Sequence, residues 1–186
     1  MVGVQSVHVA RIFFGAVALV LFMSVQSSAR AESARAENAD TADNAYLDAL
    51  KGEWTMTGTL LGKPVSYDAH AERVLQGGFL LLHMIDTGAE PRYEADVFIG
   101  YDAHAKDYVA HWLDRYGAAG ARVVANGTRR GNRLVMHFPY SDGAFRDTFA
   151  FDARSATWTL LIESQAKDKT WSEFASYTLA RPGIVK

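Results

Sequence analysis

The chain contains no cysteine and only four prolines among 186 residues. Without thiols there is no disulfide, no thiolate metal site, no cysteine nucleophile and no lipid-modified cysteine, so stability must come from a packed core. Positive charge is not in excess either, with 19 Lys and Arg against 21 Asp and Glu. Nothing resembles the basic stripe of a nucleic-acid binder, and no nucleic-acid partner is expected. No Gly-x-Ser-x-Gly elbow, HExxH helix or phosphate-cradling glycine loop occurs. The usual signatures of an enzyme are missing, and no catalytic residue is assigned.

Long apolar runs are also scarce. The one that stands out, Ile12 to Val25, follows His8 and Arg11 and precedes Ala29-Arg30-Ala31. A basic start, an apolar stretch and an Ala-x-Ala site form the pattern of a secretory signal peptide. The run is shorter than the roughly 20 residues a helical span needs. Residues 1–31 are therefore expected to be removed, leaving an exported protein, periplasmic or secreted, with no membrane span. Residues 32–44, rich in Ala, Glu, Asp and Asn, read as a flexible leader. Residues 45–186 then make one domain.

The domain begins with a short helix, in which Asp43 or Asn44 serves as cap, Tyr46, Leu47 and Leu50 share a face, and Gly52 ends the pattern. Beyond it, alternation of period two recurs every 8 to 12 residues or so, punctuated by turn chemistry such as Gly62-Lys63-Pro64, Gly131-Asn132 and Ser141-Asp142-Gly143. Ten strands are expected, from Glu53–Leu61 to Thr170–Ala180. An open meander of that length leaves two unpaired edges. The fold class is accordingly all-β, an antiparallel up-and-down β-barrel of about ten strands with a short N-terminal helix; a β-sandwich is the competing arrangement.

Alternation also assigns faces. Trp54, Met56, Gly58 and Leu60 point inward and the intervening threonines outward. Trp171, Glu173, Ala175, Tyr177, Leu179 and Arg181 share one face of the last strand, so closure of first strand on last lays Arg181 across the indole of Trp54. In the apolar run Phe79 to Ile85 the two faces look alike. Trp112 and Asp114 are placed inward, His137 outward, and Asp147 as a polar group within an apolar lining.

The motifs LKGEW, VLQGGFLL, FIGYDAHAKDYVAHWLD, AFRDTF and SYTLAR resemble a bacterial lipocalin-like family of unknown function. It is marked by Gly-x-Trp, a Gly-Tyr-Asp turn, Trp-x-Asp and a closing Tyr-x-x-x-Arg, and the likeness spans about Leu47 to Arg181. Gly-x-Trp is similar to the start of calycin barrels, the group that includes lipocalins and fatty-acid-binding proteins. The resemblance implies a barrel whose Trp54 plugs one end against Arg181. It brings no reaction, because fold is not function.

The expected function is binding of a small hydrophobic or amphipathic molecule. Its lining would be Trp54, Met56, Leu81, His83, Val97, Trp112, Met136, Phe149, Tyr177 and Arg181, with Arg181 or Tyr177 meeting a ligand carboxylate. No cofactor is assigned. Some barrels distantly similar to this one bind haem through one histidine, and His83 is the candidate axial ligand. An acid–base pair of Asp114 or Asp147 with His83 is the enzymatic alternative. An envelope-interaction module with a filled interior is the third. Asp102 is read as bonding its own turn.

Overall fold

The computed structural model describes residues 40–183. The expected signal peptide and the expected leader up to residue 39 lie outside the described residues. Helix α1 covers residues 40–48, so the last part of the expected leader is helical, and Asp43 lies inside the helix instead of capping it. Ten strands follow: β1 (Gly52–Leu60), β2 (Lys63–Val74), β3 (Phe79–Asp86), β4 (Glu94–Asp102), β5 (Asp107–Asp114), β6 (Val124–Arg130), β7 (Arg133–Phe138), β8 (Phe145–Asp152), β9 (Thr157–Gln165) and β10 (Trp171–Ala180). Each pairs antiparallel with the next, and β10 returns to β1 to close the barrel. The closing register runs from Thr55 opposite Ala180 to Leu60 opposite Ala175. Closure leaves no free edge, which is the physical reason an isolated meander of this length prefers a barrel.

Inward positions carry the core. Met56, Leu80, Leu82, Ala125, Met136, Leu160 and Leu179 have no measurable exposure. Packing forces some inward positions to stay small. A Cβ on Gly127 of β6 would collide with the Met136 sulfur across the β6–β7 pair.

The helix closes one end. Its face of Tyr46, Leu47 and Leu50 is buried among the barrel's inward side chains, as the pattern requires. Polar latches fix it from four strands. Arg73 of β2 donates to Asp48 Oδ1 at 2.7 Å and to the Asn44 carbonyl at 3.0 Å. Arg129 of β6 donates to Asp43 Oδ1 at 2.5 Å, and the Tyr108 hydroxyl of β5 donates to the same oxygen at 2.8 Å. The Tyr46 hydroxyl donates to the Phe149 carbonyl at 3.0 Å. Trp158 meets Tyr46 edge-on, with centroids 4.9 Å apart.

Gly52 and Trp54 complete that end. The Arg181 guanidinium lies 3.6 Å from the Trp54 ring centroid, as expected from strand closure. It also donates to the Lys51 carbonyl at 2.9 Å and the Glu53 carbonyl at 3.2 Å. Gly52 has φ +106°, and a Cβ there would stand 2.5 Å from Arg181 Nη1. Glycine is thus required twice, by backbone conformation and by the arginine lying on it. Trp54 Nε1 donates back to the Leu50 carbonyl at 2.6 Å. This tryptophan is a structural plug.

Candidate functional site: an aromatic cavity at the open end

The other end of the barrel is not filled. A cavity of about 490 Å³ opens there, lined by Leu60, Tyr67, Met84, Tyr93, Trp112, Asp114, Tyr116, Gly120, Phe138, Tyr140, Asp142, Phe145, Ile162, Phe174 and Tyr177. Strand alternation delivers Leu60, Tyr67, Met84, Trp112, Asp114, Phe138, Phe145, Ile162 and Tyr177. The connecting loops deliver Tyr93, Tyr116, Gly120, Tyr140 and Asp142.

Phe174 arrives differently. The β9–β10 register slips between Glu173 and Ala175, a bulge that inserts one residue and reverses which side chains point in. Ala175, Tyr177 and Leu179 are buried as expected. Before the bulge the parity inverts, which corrects the single face expected for this strand. Phe174 turns into the cavity, packed edge-on against Phe145 at 5.1 Å. Trp171 instead lies on the outer surface beneath Arg146, 4.5 Å from its ring centroid, and Glu173 is exposed.

The polar groups of the cavity form a short relay. Trp112 Nε1 donates to the Tyr93 hydroxyl at 3.0 Å, and Tyr93 donates to Asp114 Oδ2 at 3.3 Å. Asp114 Oδ1 accepts the Tyr116 backbone N–H at 2.9 Å. Tyr67 and Tyr177 meet edge-on, with ring centroids 5.8 Å apart. Burial pushes the hydroxyl pKa of Tyr67, Tyr93, Tyr140 and Tyr177 up, so these phenols are neutral.

Asp147 of β8 sits deeper, 3% exposed, opposite Met136 and Ile162. Its field reaches two cavity residues, Tyr140 and Tyr177. Burial alone pushes its carboxyl up to about 8. Among the described residues no arginine is paired with it. Arg146 bonds Glu163 at 2.8 Å on the outer face, Arg115 bonds the Arg92 carbonyl, and Arg181 is at the closed end.

Of the expected lining, Trp112 and Tyr177 border the cavity. Met56, Val97, Met136 and Phe149 point inward but are packed in the filled half of the barrel. Trp54 and Arg181 form the closed end, so no cation stands beside Tyr177 to meet a ligand carboxylate. Leu81 and His83 are on the outer face: β3 buries Leu80, Leu82 and Met84 instead. Because that strand is apolar on both sides, its parity is set by pairing with β2 and β4, not by composition. His83 Nδ1 lies 2.8 Å from Asp96 Oδ1 across that pairing, away from Asp114 and Asp147. An acid–base pair of His83 with either carboxylate is therefore not assembled, and His83 does not face the cavity.

The remaining histidines are dispersed. His70 faces Glu53 at 2.6 Å, His111 Nε2 approaches the Ala121 carbonyl at 2.7 Å, and His137 is exposed. No group of three or more His, Asp or Glu suited to a metal occurs among the described residues. Asp102 accepts the backbone N–H of His104 and Ala105, as its turn position predicts.

Sequence reasoning missed Tyr67, Phe138, Phe145, Ile162 and Phe174 as site residues, together with the loop tyrosines. Inward parity at Phe138 and Phe145 was available as a signal. For loop residues no periodicity exists to read.

Fold and site together define a closed ten-stranded antiparallel barrel, packed at one end and hollow at the other. No protein-family model matches this chain, and no curated protein does either.

Proposed function

We propose that this is an exported, lipocalin-like barrel that binds a small, mainly aromatic or aliphatic molecule in the open-end cavity. One observation carries the reading: about 490 Å³ of space walled by tyrosine, phenylalanine and tryptophan, with a few fixed polar groups. That is the size and composition of small-molecule sites in general. A plain structural barrel gains nothing from such a hollow, because each missing side chain forfeits packing contacts. The filled-interior alternative describes the helix-plugged half only.

The test is native mass spectrometry of protein purified from its producing cells, beside an Ile162→Trp variant that fills the cavity. A reproducible mass excess, released by organic solvent and absent from Ile162→Trp, is the expected outcome. A bare mass for both, persisting after exposure to cell lipid extract, defeats the reading.

A further inference from the structure

Resting on the cavity's being a ligand site, we infer that its ligand is an organic cation, an alkyl or arylalkyl amine or quaternary ammonium. The positive group would be held by tyrosine faces and Asp114, with Asp147 beneath. The first observation is that, among the described residues, no Lys, Arg or His lines the cavity, whereas Asp114 and Asp142 do. Two arginines of the neighbouring loops are engaged outside the lining. Arg92 pairs with Asp86 at 3.7 Å, and Arg115 is bonded to the Arg92 carbonyl.

The second observation is the state of the donors. Trp112 Nε1 is used by Tyr93, and the Tyr93 hydroxyl is used by Asp114. Tyr67 and Tyr177 pack edge-on against each other. An anionic ligand entering here would meet no cationic side chain among the described lining residues, and would compete with Asp114 for the Tyr93 hydroxyl. A cation meets acceptors instead. Each Asp114 oxygen has accepted one hydrogen bond, and a carboxylate offers about four lone-pair positions.

The third observation is Asp147, an inward carboxyl 3% exposed and without an arginine. Its charged form is penalised by burial with nothing to offset it. A carboxyl buried in that way is costly. A cation bound against Tyr140 and Tyr177, the cavity tyrosines that the Asp147 field reaches, would offset that cost. Ring faces supply the rest of the site, since the negative face of a tyrosine attracts ammonium, and desolvation in a cavity strengthens the attraction. Quaternary ammonium groups are bound in aromatic cages by the same physics.

The experiment is calorimetric titration of the purified protein at about pH 8.5 with three chain-matched probes: octyltrimethylammonium, octanol and octanoate. The ammonium is expected to bind about tenfold or more tighter than the alcohol, and octanoate weakest. Asp114→Asn and Asp147→Asn are each expected to cut ammonium affinity about tenfold while leaving octanol affinity within about twofold, which shows that the variants are folded. Octanol binding as tightly as the ammonium, or octanoate binding best, overturns the inference while the cavity remains a ligand site. Ammonium preference unchanged in both variants overturns the assigned carboxylates. If none of the three probes binds, the cavity reading itself fails.

Discussion

Asp147 is the aspartate whose carboxyl burial raises, whereas hydrogen bonds hold Asp48, Asp86, Asp102, Asp152 and Asp168 below the ordinary value. In an unfolded chain its carboxyl would titrate near the ordinary aspartate value, about 3.9. In the fold, burial raises it to about 8. Between those values the native state keeps a proton that the unfolded state has lost, so the contribution of Asp147 to stability is greatest below about pH 4 and declines as pH rises towards 8. Asp147→Asn removes this term. Its melting temperature should exceed that of the unsubstituted protein by several degrees near pH 8.5, and the gap should shrink as pH falls and close below about pH 4; a parallel offset at every pH would falsify this assignment. Ligand binding senses the same proton. Around Asp147 stand Tyr177 of β10 and Tyr140 of the β7–β8 loop, both neutral phenols, while Met136 and Ile162 flank it in the sheet. Octyltrimethylammonium carries a fixed charge, so an affinity that climbs between about pH 6 and pH 8.5 reports ionisation of the protein, not of the probe. Gly52 and Arg181 make the other residue-scale case. Arg181→Ala loses the ring contact and two hydrogen bonds to carbonyls, at about 1–3 kcal/mol by urea unfolding. Gly52→Ala should cost at least as much, because it strains φ and displaces the same guanidinium.

At the scale of elements, α1 matters more than its length suggests. Nine residues of helix are marginal alone, and tertiary packing must hold them. Tyr46, Leu47 and Leu50 provide that packing, while Arg73 and Arg129 fix the direction in which the helix lies. The Asp43–Arg129 pair is only 13% and 20% exposed at its side chains. Arg129→Met strands a buried carboxylate with Tyr108 as its remaining partner, and about 3 kcal/mol of stability should be lost. The double variant Asp43→Leu with Arg129→Met should recover much of it, and a double-mutant cycle in urea measures the coupling. The half-exposed Asp48 and Lys51 pair at 3.6 Å should contribute almost nothing. The β10 bulge is the second decisive element. It lets one strand serve two surfaces, Tyr177 and Phe174 inside and Trp171 outside under Arg146.

For the whole molecule, the asymmetry between its ends organises everything else. One end is capped by helix, tryptophans and arginines, and the other ends in loops around a tyrosine-rich hollow. Hydrophobic stabilisation therefore comes mostly from the capped half, and the hollow half forgoes contacts that a ligand can restore. Ligand at about a hundred times its dissociation constant should add about 2.7 kcal/mol and raise the melting temperature by a few degrees. Ile162→Trp should raise the melting temperature without ligand and abolish the further rise on adding it.

Much of this was written in the sequence. The number of strands, their turns, the antiparallel order, the inward set of Trp54, Met56, Trp112 and Asp147, and the Trp54–Arg181 stack all follow from alternation and from the need to pair both edges. Such features are local or forced by closure. The tertiary structure alone decided which face of β3 is buried, because parity is legible only where the two faces differ in polarity. The bulge that reverses β10 was equally silent, since a single inserted residue leaves no compositional trace. The cavity could not be read at all from periodicity: it joins strand ends to loops more than a hundred residues apart, from Leu60 to Phe174, and only barrel closure brings them to one rim.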